Sequence, residues 1–312
     1  MSRNAPLSPA AQAHAPTAAP RGLPYALGAY SLWGVLPLYL VLLNAVNPFA
    51  LVGWRTLWTI PICAIAIAAR GQIAEVKAAL FNPRVFGVLV ISSALISINW
   101  VVYIVAVQRG EFYAASLGYY INPLVNVLLG TIFLHEKLSR LQWSAVAVAA
   151  VGVAVLAVEA VDTLYISLTL AFSFASYGLL RKRVPVGALP GLTVEVLVLA
   201  IPAIIAITLA PPASNGTSAE FGLNALLFGA GLWTAIPLLL FATAARRMEY
   251  STLGFVQFLA PTIVFILGLT VLGEPLDPIR LICFLFIWAA IAIFCIDLLM
   301  RARARRRTPP IA

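Results

Sequence analysis

The sequence predicts an all-helical membrane protein, and three observations carry that reading. Of its 312 residues 62% are apolar and only 10% charged, the apolar residues form long continuous runs, and the basic residues fall between those runs. Soluble domains carry about 25% charged residues, so this chain has too few to coat a water-facing surface. A membrane barrel would instead alternate polar and apolar residues in short segments. Cys63, Cys283 and Cys295 each sit inside an apolar run, which implies no disulfide framework.

Residues 1–22 are rich in Ala and Pro and lack a helical period, so they read as a disordered cytoplasmic arm. The first apolar run, 23–43, is longer than the core of a cleavable signal and no small-residue cleavage site follows it, so it is expected to remain as a helix. A span needs about 20 mostly apolar residues. Further runs at 49–69, 85–108, 112–134, 141–159, 163–180, 192–210, 223–245, 250–273 and 279–299 bring the expected spans to ten, followed by a basic cytoplasmic tail at 300–312. With the N-terminus inside, seventeen of the twenty Lys and Arg residues fall in inner segments, Arg109 and Arg280 fall outside, and Arg55 lies within a span. This bias follows the positive-inside rule and places both termini in the cytoplasm. The net charge of +9 is therefore read as topology and contact with anionic lipid. Nucleic acid is not an expected partner, because no recognition module accompanies the basic tail.

The ten spans divide into two copies of five, 23–159 and 160–299. In the fourth span Pro123 is followed by Gly130 and Glu136; in the ninth, Pro261 is followed at the same offsets by Gly268 and Glu274. Leu117-Gly118-Tyr119 and Leu253-Gly254-Phe255 precede the two prolines, and Trp33-Gly34 in the first span is echoed by Tyr177-Gly178 in the sixth. An odd number of helices per copy inverts the second relative to the first. Glu136 is then expected on the inner face and Glu274 on the outer, around a midplane cavity of the kind common to transporters.

The stretches ALGAYSLWG (26–34), WRTLW (54–58), INW (98–100), SLGYYINPLVNVLLGTIFLHEKL (116–138), LAFSFASYGLLRK (170–182) and STLGFVQFLAPT (251–262) resemble the drug/metabolite transporter superfamily with its paired EamA repeats, and within it the RarD type of permease. The resemblance covers residues 23–299. It implies a ten-helix carrier of the bacterial inner membrane, of a type often named for chloramphenicol sensitivity, and it leaves the substrate, the transport direction and the ion coupling open.

Arg55 in the second span and Glu195 in the seventh stand well inside apolar helices. A charge near the bilayer centre costs at least about 2.5 to 3.5 kcal/mol, so each should face a cavity or a partner. Arg55 is expected to bind an anionic or carbonyl-bearing part of a small-molecule substrate. Glu195 either pairs with Arg55, takes a proton, or belongs to a purely structural ion pair.

Asn99, Trp100 and Tyr103 in the third span form a polar and aromatic group with Tyr119, Asn122 and Asn126, which share one face of the fourth. They and Gln257 in the ninth are candidate cavity-lining residues, although Asn and Gln also simply bond neighbouring helices. Pro123 and Pro261 each remove a backbone hydrogen bond and are expected to kink their helices, exposing carbonyls or providing a hinge. No His/Cys ligand pair and no GxxxxGK[ST] loop occurs, so no metal, no cofactor and no ATP hydrolysis are expected. An intramembrane enzyme would need a convergent acid, base and nucleophile, and a receptor or assembly factor a long loop or soluble domain; neither is visible. One chain sets no oligomeric state.

Overall fold

The structure, a computed structural model, describes residues 21–43, 46–109, 111–210, 217–271, 273 and 275–307. The arm before residue 21, Glu274 and the last five residues of the tail lie outside the described residues. Nine helices among the described residues are long and apolar enough to cross a membrane, and the chain is a multi-pass membrane protein. Helix α1 (Leu23–Val41) is not among the nine, because its Tyr, Trp, Gly and Pro residues dilute an otherwise apolar sequence.

The remaining elements are α2 (Pro48–Ala69), α3 (Ile73–Phe81), α4 (Pro83–Gln108), α5 (Phe112–Phe133), α6 (Arg140–Ala157), a 3-10 turn (Val158–Thr163), α7 (Leu164–Arg183), α8 (Ala188–Leu209), α9 (Thr217–Arg247), α10 (Tyr250–Gln257), α11 (Leu259–Thr270) and α12 (Pro278–Arg307). Local chemistry sets several starts. Asn47 accepts from the N–H groups of Phe49 and Ala50 at 3.0 and 3.4 Å, and Ser139 forms a reciprocal capping box with Gln142, each satisfying donors that a helix leaves orphaned.

Three boundaries differ from the sequence reading. Residues 73–81, expected as loop, form α3, because Val76 and Ala79 bury one face against α8. The expected single ninth span is broken between α10 and α11 at Phe258. Pro261 lacks the N–H that the Gln257 carbonyl would have accepted from, and the helix yields there; Pro123 by contrast leaves α5 as one assigned helix. The basic cluster from Arg301 to Arg307, expected as tail, continues α12, with Arg301 paired to Asp297 one turn back at 2.8 Å.

The helix contacts come in matched sets. Spans α2 and α8 pack together, as do α6 and α12, and α5 with α10. Helix α1 packs on α9 and α11, while α7 packs on α4 and α5; α2 also meets α9, and α8 meets α4. Exchanging α1, α2, α4, α5 and α6 in order for α7, α8, α9, the pair α10 and α11, and α12 leaves this set unchanged. The α6–α12 pair carries its own core around Ala145, Ala149, Phe284 and Ile287, and the remaining spans enclose the site.

Close approach of α5 and α10 depends on Gly254. A Cβ there would lie 2.8 Å from the Pro123 carbonyl oxygen and 3.0 Å from Asn126 Cβ. Neither atom is the free end of a flexible chain. Gly254→Val is therefore expected to lower stability in detergent by about 1–3 kcal/mol, and an unchanged melting temperature would refute the contact.

Candidate functional site

A cavity of about 180 Å³ lies among α1, α2, α4, α5, α7, α10 and α11. The helix ends that carry Arg70, Lys182 and Arg246 define a basic side of the bundle. The cavity occupies the half away from that side: it takes Leu36 and Leu40 late in α1, Arg55 early in α2, Asn99 and Tyr103 late in α4, Ser116 early in α5 and Val264 in α11. Seven of the residues that border it are aromatic.

Arg55 is 7% exposed. Its Nε donates to Thr234 Oγ1 at 2.9 Å, and its guanidinium carbon stands 5.1 Å from the centre of the Trp100 ring. Thr234 is itself anchored to the Ala230 carbonyl at 2.8 Å, which fixes the acceptor. The terminal amino groups of Arg55 donate to no described residue, and the side chain borders the cavity. Tyr103 and Tyr119 meet edge to face across the same space, with centroids 5.5 Å apart. A cation held by one nitrogen beside aromatic faces can bind a carboxylate, phosphate or carbonyl oxygen with its remaining donors, while the rings take an apolar body.

Seven of the expected site residues border this cavity: Arg55, Asn99, Trp100, Tyr103, Tyr119, Gln257 and Pro261. Asn122 and Asn126 do not. They join the helices in a buried ladder, in which Asn122 donates to the Ala171 carbonyl at 2.8 Å. Asn126 donates to Gln257 Oε1 at 2.7 Å and to Asn122 Oδ1 at 3.2 Å. Pro123 lies beside that ladder. The carbonyls that lose a helical donor to Pro123 and Pro261 belong, four residues earlier, to Tyr119 and Gln257, both of which line the cavity.

Glu195 is also away from the cavity, and its partner is not Arg55. It lies 3.6 Å from Arg181, accepts from Ser92 Oγ at 2.5 Å and from the Tyr177 hydroxyl at 3.4 Å. Arg181 and Glu195 are 1% and 2% exposed. The sequence counts Arg181 among loop charges, but α7 runs on to Arg183 and turns this side chain into the bundle.

On the basic side the spans are tied together. Glu136 follows α5 and accepts from the backbone N–H groups of Tyr250 and Ser251 at 2.6 and 2.8 Å, and from Ser251 Oγ at 2.6 Å. It thereby caps α10, where the helix dipole favours an anion. Gly130 makes this possible, since a Cβ there would stand 2.7 Å from the Glu136 carboxylate. His135, with φ 54°, reverses the chain so that Glu136 folds back; Gly273, one residue before Glu274, has φ 67°. Lys182 donates to the carbonyls of Ala245 and Met248 at 2.9 and 2.5 Å, and Arg246 to those of Val184 and Val186.

Residues 20–158 match the EamA-like transporter family. The chain is 40% identical to an uncharacterized transporter of Vibrio cholerae over 93% of this chain and 96% of that one. It is 41% identical to protein RarD of Salmonella typhi, over 91% of this chain and 98% of the relative. The chain belongs to the EamA family, as a RarD-type permease. A solved crystal structure superposes with a TM-score of 0.68 at 21% identity, over 87% of this chain and 96% of that one, a likeness of fold. The family and the Vibrio cholerae relative are transporters by name, and the multi-pass helical fold of this chain accords with that class.

In this RarD-type chain the sequence reading missed Tyr30, Trp33, Pro37 and Phe174, which also border the cavity. Aromatic residues are common in membrane helices, and only the Trp33-Gly34 and Tyr177-Gly178 echo pointed to α1. Trp33 and Trp100 in the wall give the site its own optical reporter. A bound aromatic carboxylate is expected to change their fluorescence in the wild type and not in Arg55→Ala, as a titration in detergent would show.

Proposed function

We propose that this chain is a secondary carrier of ten spans, α1 included, built as two inverted halves at 23–159 and 160–299, with both termini in the cytoplasm of a bacterial cell and the spans in its inner membrane. The exchange-matched helix contacts and the seventeen-to-two distribution of basic residues support that layout. The observation that carries the functional reading is a single cation, Arg55, in an aromatic cavity on the side away from the basic ends. With the basic side in the cytoplasm, this conformation faces outward, and the ties at Glu136, Lys182 and Arg246 close the inner side.

The cargo this site fits is a small amphipathic organic molecule with an aromatic or apolar body and an anionic or carbonyl oxygen group. Rocking of the halves would expose it to either face in turn, and export is the net direction we propose, in keeping with the drug/metabolite character of the resemblance. Purified protein in liposomes, preloaded with a panel of aromatic carboxylates, tests this by counterflow of the labelled compound. Saturable exchange that depends on Arg55 is expected. Exchange no faster than through empty liposomes across the panel would refute the cargo class. Repeating the assay with and without an imposed pH gradient distinguishes proton coupling from exchange.

A further inference from the structure

The residues that the outward cavity leaves unused have a shared geometry. Arg55 lies seven residues after Pro48, the start of α2, and Glu195 lies seven after Ala188, the start of α8. Arg55 is bonded to a hydroxyl on the third span of the other half, Thr234. Glu195 is bonded to a hydroxyl on the third span of the other half, Ser92. Trp33 and Pro37 border the outward cavity, and in the register set by Trp33-Gly34 and Tyr177-Gly178 their counterparts are Tyr177 and Arg181. Both of these touch or face Glu195.

A layer of rings separates the two groups. Phe174 borders the cavity and lies 5.1 Å from Phe241, and Phe241 stacks on Tyr177 at 6.1 Å. Beyond that layer Arg181 is buried with spare donors. Its Nη2 donates to the Ala188 carbonyl at 2.8 Å, whereas Nε and Nη1 have no hydrogen-bond partner among the described residues. Gly191, one turn before Glu195, leaves room for this guanidinium, since a Cβ there would collide with Nη1. A buried guanidinium with unmet donors is costly unless an acceptor arrives.

We propose that Arg181 and Glu195 form the substrate subsite of the cytoplasm-facing state, the counterpart of Arg55 in the outward-facing one, with Arg181 taking the same anionic or carbonyl group. Glu195 holds Arg181 in place while the subsite is closed, and the substrate oxygen replaces it as partner when the inner ties open. This inference rests on the carrier reading, because only a change of facing brings the pair into contact with water.

The test uses the full chain with Cys63, Cys283 and Cys295 replaced by Ala, and an impermeant anionic methanethiosulfonate reagent as probe. The Ser116→Cys thiol, in the outward cavity, is expected to react from the outer face. The Ser92→Cys thiol is expected to react from the cytoplasmic face in inside-out vesicles, and faster when Glu136→Gln loosens the inner side. Reaction at Ser116→Cys without any at Ser92→Cys, in either background, would overturn the subsite and leave the carrier standing; a Ser116→Cys thiol silent from the outer face would count against the carrier itself. Reaction of Ser92→Cys from the outer face would equally overturn the subsite. The double variant Arg181→Gln/Glu195→Gln leaves no unpaired charge. It is expected to keep the Ser116→Cys labelling while transport falls at least about tenfold, and wild-type transport by it would overturn the proposal.

Discussion

Arg55→Ala is expected to reduce transport of an anionic aromatic substrate by roughly 10- to 100-fold, with expression and melting temperature near those of the wild type. Hydrogen bonds to a charged group contribute about 1.5–3 kcal/mol, which corresponds to that range. The loss should appear mainly in apparent affinity, because the terminal amino groups meet the ligand directly. Removing the charge also relieves an insertion penalty, so the folded protein is not expected to suffer. Arg55→Lys should recover only part of the activity. A lysine ammonium keeps the charge but presents neither the Nε donor that meets Thr234 at 2.9 Å nor a planar face for Trp100. Full transport by the Ala variant at normal expression would remove Arg55 from the site.

Glu136→Gln is expected to shift the protein away from its outward-facing state. The carboxylate receives three hydrogen bonds at the start of α10, two from backbone N–H groups and one from Ser251 Oγ. An amide keeps one good acceptor and loses the charge that the helix start favours. Loss of a helix cap costs about 1–2 kcal/mol, enough to change a two-state ratio by roughly 5- to 30-fold. Because the cap joins α5 to α10, in the proposed carrier that change falls on the inner closure. Labelling of Ser116→Cys from the outer face should slow by several-fold in this variant. An unchanged rate would mean that Glu136 is only a local helix cap.

Much of the architecture was legible because lipid allows few solutions. Continuous apolar runs gave the spans, and an isolated arginine among Trp54, Thr56 and Trp58 could not face lipid without penalty. The face of α4 holding Asn99, Trp100 and Tyr103, expected to line a cavity for the same reason, borders one in the structure. The partner of Glu195 was not legible, because Arg181 sits two residues from the end of α7, where the sequence reads as loop; only the length of the helix reveals that Arg181 turns inward. Asn122 and Asn126 looked equivalent to Tyr119 by periodicity, yet their amides face α7 and α10. Periodicity identifies a face and does not say whether water or another helix covers it. Likewise Val76 and Ala79 carry too short an apolar pattern to predict α3 without α8 to cover it.

The interruption at Phe258 divides one membrane crossing into two levers. The piece on the basic side, α10, is fastened to α5 and capped by Glu136, while the piece on the opposite side, α11, leans on α1. With the Gln257 carbonyl deprived of its usual donor, the joint between them lacks a rung and can swivel. In the carrier proposed above, the outer door would swing on α11 while the inner bolt stays shut, so that a single crossing serves both doors and need not leave them open together.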